Sequence, residues 1–151
     1  MRMLAALAAL AVLVPTAASA ETWLAIAKAN GHASYADPDA IAGDDREATV
    51  REMKIYDPPL TLDGKTVRAR IVNYRFDCET TRFKILSVEN LDTAGTSVGL
   101  FPITEDFREP AIQGTVGERL AAFGCGSMAM DPMAARTRDE AIADGLAMLE
   151  P

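Results

Sequence analysis

Two cysteines, Cys78 and Cys125, are the only ones in this chain of 151 residues, and they stand 47 positions apart. If the chain folds in an oxidising compartment, two such thiols pair unless geometry forbids it. Every admissible fold must then bring positions 78 and 125 together. The N-terminus decides the compartment. Met1-Arg2 supplies a short positive start, Leu4 to Val14 is an Ala- and Leu-rich apolar run, Pro15 breaks it, and Ala18-Ser19-Ala20 has the small-x-small pattern of a cleavage site. The whole reads as a secretory signal peptide cut between Ala20 and Glu21. The run is too short for a membrane span, which needs roughly 20 apolar residues. No cysteine stands at the cut to carry lipid. We therefore expect a chain exported to the periplasm or beyond, not a lipoprotein, and without a membrane anchor after cleavage.

Export makes a structural disulfide the expectation. Closing a loop of this length contributes on the order of 4 kcal/mol in the chain-entropy model, a large share of the roughly 5–15 kcal/mol typical of a domain. The pair lacks the Cys-x-x-Cys spacing of thiol exchange. Hydrophobic residues make up 49% and charged residues 25% of the chain, a composition that folds, and the length suits one domain. The formal net charge of −7 argues against a nucleic-acid partner held through phosphates. A single His and two Cys exclude a four-ligand zinc framework. Between Arg46 and Lys84, nine basic residues face six acidic ones. Such a stretch is either a mildly basic sheet or a set of strand faces with paired charges, and the second is expected.

The pattern after the leader is mostly strands. Thr22–Lys28 reads as a first strand, Asn30-Gly31 as a turn, Ser34–Ala36 as a short return, and Asp37-Pro38-Asp39 as a further turn. Glu47–Tyr56 follows, ended by Asp57-Pro58-Pro59. Asp63-Gly64 turns the chain into a long strand over Val67–Cys78. There Val72, Tyr74, Phe76 and Cys78 share one face at period two, whereas Val67, Ala69 and Ile71 share the other. A bulge or burial on both sides explains the switch. Arg82–Asn90 is a further strand, and Thr96–Phe101 an edge strand stopped by Pro102.

Thr115-Val116-Gly117-Glu118 is a capping-box pattern. It opens a short helix with Val116, Leu120 and Phe123 on one face and Gly124 suited to stopping it. Cys125 then ends a helix and Cys78 ends a strand, so their bond pins that helix to the Tyr74/Phe76 face. The expected fold class is α+β: an antiparallel sheet of about five or six strands with a C-terminal helix tied to it by a disulfide. Thr137 and Glu140 repeat the capping pattern before Ile142, Leu146 and Leu149, predicting a second short helix docked on its own domain. The organisation is thus a leader over 1–20, a domain over 21–126, and a linker with a short helix over 127–151.

Trp23, the run Tyr35-Ala36-Asp37-Pro38-Asp39-Ala40-Ile41, then Tyr74-Arg75-Phe76-Asp77-Cys78 with Arg82, resemble the surface-adhesin protein E-like domain of bacterial exported proteins. The closing Gly114-Thr115-Val116-Gly117-Glu118, Leu120 and Cys125-Gly126 are similar to the end of that family's pattern. The resemblance implies an antiparallel sheet with a disulfide-tied helix, and a role as a host-matrix adhesin. It covers roughly residues 22–126.

Other constellations point elsewhere. Met128, Met130 and Met133 place three thioethers within six residues, a spacing able to hold Cu(I). Linker filler is the plainer reading. Asp37, Asp39, Asp44 and Asp45 lack calcium-loop spacing and read as turn chemistry. His32 has no Ser or Cys partner nearby for nucleophilic catalysis and reads as an exposed loop residue. With no acid/base pair or nucleophile set in evidence and no cofactor motif, the expected function is an exported, non-enzymatic binding module for a protein partner, adhesin-like in its most specific form. The alternative is a periplasmic Cu(I) or small-ligand carrier using the Met cluster.

Overall fold

The computed structural model describes residues 21–129, 131 and 134–150. The leader, Met130 and Met133 lie outside the described residues. Strands β1 (Leu24–Ala29), β2 (His32–Ala36), β3 (Ala42–Gly43), β4 (Glu47–Leu62), β5 (Lys65–Asp77), β6 (Phe83–Leu91) and β7 (Ser97–Pro102) precede helices α1 (Val116–Gly124) and α2 (Arg138–Leu149). All pairings are antiparallel. The sheet runs β1-β2-β4-β5-β6-β7, with the two-residue β3 attached to β4. The expected five or six strands become seven because β3 is too short to leave a pattern.

The β4–β5 hairpin is the spine. Its turn, Asp63-Gly64, holds both residues at positive φ (49° and 75°), the backbone that a two-residue hairpin of native twist requires. Along β5 the apolar switch is settled as burial on both sides. Val72, Tyr74 and Phe76 join Val50, Val88, Leu120 and Phe123 in one core cluster. Ala69 and Ile71 join Trp23, Tyr35, Met53, Ile55, Leu91 and Ala141 in the other. Helix α1 covers the first face and α2 the second.

Each helix is too short to be stable alone and is held by specific contacts. The Thr115 hydroxyl accepts the Glu118 amide at the start of α1, but the Glu118 carboxylate reaches the Gly114 amide and so completes only half of the expected capping box. Thr137 and Glu140 make the full reciprocal box on α2. Cys78, one residue past β5, bonds Cys125, the C-cap of α1, with their Cα atoms 5.6 Å apart. Helix α1 ends at Gly124 as expected, but not through a left-handed glycine there, since the positive φ (72°) falls on Gly126. A Cβ on Gly124 would stand 2.3 Å from Val50 Cγ2. The role of Gly124 is close approach of helix to sheet. Helix α2 docks as expected, with Ala141 and Gly145 buried and the Tyr35 hydroxyl donating to Asp144 Oδ2 at 2.8 Å.

Three further expectations change. Strand β1 begins at Leu24, because Trp23 instead pairs in an isolated bridge with Arg136. Strand β4 continues through Pro58 and Pro59 to Leu62. The ladder to β5 is interrupted between Ile55 and Leu60, so the prolines fall where no ladder hydrogen bond is asked of them. His32 is the first residue of β2, opposite Tyr56, and is half-buried with the two rings 5.9 Å apart. Within the basic stretch four cations are paired with carboxylates: Arg51 with Glu21 and Asp37, both outside the stretch, Lys54 with Glu52, Arg68 with Asp57, Arg75 with Glu47. No helix among the described residues is long and apolar enough to cross a membrane.

Candidate functional site

Helix α1 is about 13 Å long and leaves part of its sheet face uncovered. The segment after β7 folds back beside that gap. Ile103 N–H donates to Leu86 O, Arg108 N–H to Phe83 O, and Ala111 N–H to Thr81 O. Glu105 locks the segment: its Oε1 accepts the Ile85 amide at 2.6 Å, and its Oε2 meets Arg108 at 2.6 Å. The Arg108 guanidinium, then the Ile85 amide, hold the Glu105 carboxyl below the usual range. Between this segment, the first turn of α1 and the sheet lies a cavity of about 490 Å³.

The cavity floor is Glu52, Tyr74, Phe76 and Phe83, with Leu120 and Val116 as the helix wall and Ile112 on the rim. The three aromatic rings have centroids 5.8–5.9 Å apart. Glu52 shares the inward parity of Ala48 and Val50 on β4, opposite Val72. Its side chain is 0% exposed; among the described residues the Tyr74 phenol is directed at the carboxylate, but no hydrogen bond of good geometry reaches either oxygen. The nearest cation, Lys54 Nζ, stands 3.5 Å from Oε2 and 5.9 Å from the Tyr74 ring centroid. Burial, then the Glu52 charge, pushes the Tyr74 phenol far up, so it stays protonated. Ser34, opposite Lys54 on β2, is also fully buried, its Oγ without a hydrogen-bond partner among the described residues.

A second depression, about 630 Å³, flanks the N-terminus of α1 on the other side and shares Lys54 with the first. His32 and Arg119 line it. Burial, then the Lys54 charge, lowers the His32 pKa and favours its neutral form near pH 7. The arrangement offers a buried acceptor inside an aromatic recess with an ammonium at its mouth.

The residues singled out in the sequence lie mostly elsewhere. Cys78 and Cys125 sit at the far end of α1 from the cavity. Met128 packs against the α1-side core. Asp37 and Asp44 shape turns as expected, Asp37 accepting the Asp39 amide and Asp44 the Arg46 and Glu47 amides, while Asp39 accepts the Thr22 hydroxyl. Glu21 bridges Arg51 (2.7 Å) and Arg138 (2.6 Å). Burial opposes ionisation there, but the two guanidiniums outweigh it and lower its pKa. Glu52 was missed, although a charged residue at a core-parity position of β4 is the signal that finds it.

A separate surface feature is the β7 edge. Leu100 is 65% exposed, Phe101 49% and, on the segment that follows, Ile112 75%. Leu100 and Phe101 project from opposite faces of the sheet, opposite Glu89 and Val88 of β6. The Phe101 ring leans over Gly99, where a Cβ would stand 2.8 Å from it.

Compared with known protein families, residues 23–126 match the family model described as surface-adhesin protein E. No curated protein and no solved structure matches the chain.

Proposed function

Since the chain belongs to the surface-adhesin protein E family, we propose that it is an exported, non-enzymatic binding module that recognises a protein partner by adding an extended segment of that partner to the open edge of β7. The observation that supports the reading best is that edge. It is the last strand of the sheet, carries Leu100 and Phe101 largely exposed, and has no further strand beyond it among the described residues. An exposed apolar edge strand is a template for strand addition, and contiguous exposed apolar surface marks interaction sites. Removal of residues 1–20 as a leader, leaving Glu21 first, completes the reading.

The test is capture from envelope and host-matrix extracts by the mature chain and by a Leu100→Lys/Phe101→Lys variant. A partner retained by the first and lost by the second, at unchanged melting temperature, is the expected result. A partner held equally by both overturns the edge assignment. N-terminal sequencing of the exported protein should begin at Glu21; an intact leader removes the export reading.

A further inference from the structure

We propose that the cavity under α1 is a binding site for an organic cation, a primary amine or guanidinium on an apolar stem, whose charged head is received by Glu52. The site is distinct from the β7 edge and does not depend on it. A carboxylate taken wholly out of water without hydrogen bonds is costly, and proteins retain such groups where a ligand satisfies them. Glu52 fits that description. It forms part of the cavity floor, and among the described residues its carboxylate has only the Tyr74 phenol beside it and a 3.5 Å approach of Lys54 to Oε2, with no hydrogen bond of good geometry to either oxygen.

The surroundings select the ligand. Phe83, backed by the buried rings of Tyr74 and Phe76, presents ring surface suited to an apolar stem, and ring faces also favour a cation over an anion. A cavity of about 490 Å³ accepts a small aryl or alkyl amine. The rival cation is displaceable. Lys54 keeps 27% of its side chain in solvent, so its ammonium can swing outward toward water while an incoming head takes its place at Glu52. Arg108, the other cation lining the cavity, is already paired with Glu105.

The experiment titrates the mature chain with 2-phenylethylamine, with its neutral counterpart 2-phenylethanol and with the anion 3-phenylpropionate, followed by amide chemical shifts of residues 50–54 and 74–76. Saturable binding of the amine, with the alcohol weaker by at least about tenfold, is expected from loss of one charge-assisted hydrogen bond. Glu52→Gln should reduce amine affinity by a similar factor and leave the alcohol unchanged. Should that variant fail to fold, Lys54→Met supplies the independent arm: it removes the competing cation and should tighten the amine selectively. Preference for 3-phenylpropionate, equal binding of all three probes, equal effects of Lys54→Met on the amine and the alcohol, or no shifts up to millimolar amine overturns the proposal. The Leu100→Lys/Phe101→Lys variant should bind the amine as the parent does, which separates this site from the partner-recognition edge.

Discussion

Replacing both cysteines by alanine isolates what the Cys78–Cys125 bond contributes. The bond closes a loop with a sequence separation of 47, and the chain-entropy relation gives about 4 kcal/mol for that length at 25 °C. The contribution acts on the unfolded chain, because α1 keeps its contacts through Leu120, Ala121 and Phe123 without it. A mature chain running from residue 21 to 151 has an unfolding entropy near 0.28 kcal/mol/K, so the melting temperature should fall by about 15 °C. Thermal melts of the oxidised parent and of Cys78→Ala/Cys125→Ala measure that shift, and guanidinium unfolding measures the free-energy loss. The fluorescence of Trp23, the single and fully buried tryptophan, reports on the α2 face, and far-ultraviolet dichroism reports on the whole. The native spectra of the two proteins should coincide, while the midpoint falls and the denaturant slope rises because the uncrosslinked chain exposes more surface. An unchanged midpoint would refute the entropic reasoning. So would a loss more than twice as large, which only broken packing could supply.

Two other perturbations follow from close contacts. Gly124→Ala drives a methyl into Val50 Cγ2, on a buried strand that cannot retreat, and should cost about 1–3 kcal/mol; Gly117→Ala, with its nearest contact at 3.5 Å, should be neutral or stabilising by up to about 1 kcal/mol, and urea melts of the two variants check the contrast. The Tyr35 phenol is raised above 10.0 by burial and then by Asp144, so its contribution is complete below pH 10.0 and is lost above it, where the unfolded chain ionises first. Tyr35→Phe should cost about 1.5 kcal/mol at neutral pH and flatten, without abolishing, the alkaline decline measured by urea melts from pH 8 to 11, since Tyr74 is raised as well.

Local signals carried the fold because strand period, turn residues and caps are local quantities. Asp63-Gly64, Thr115 and Thr137 each act where the sequence places them. The Cys78–Cys125 pairing was readable because only two thiols exist to be joined. What escaped was set by tertiary register. Pro58 and Pro59 read as a stop, yet the ladder skips that stretch and β4 continues. Gly124 read as a helix terminator, and α1 does end there, yet the distance to Val50 dictates the glycine. His32 read as loop because its pairing with Tyr56 depends on a strand more than twenty positions away. The candidate site was least legible. Glu52 and Lys54 look like ordinary alternating charges until β5, α1 and the segment from 103 to 112 close over them.

The bridge between Trp23 and Arg136, with backbone bonds of 2.8 and 2.9 Å, ties the beginning of the sheet to the start of α2. The two ends of the described chain are thus closed on each other by residues 113 positions apart. The backbone partner of Trp23 and the Ala141 contact of its core cluster both come from the last tenth of the chain. A chain stopped shortly before position 136 lacks this closure even though every residue of the family-matched region is present.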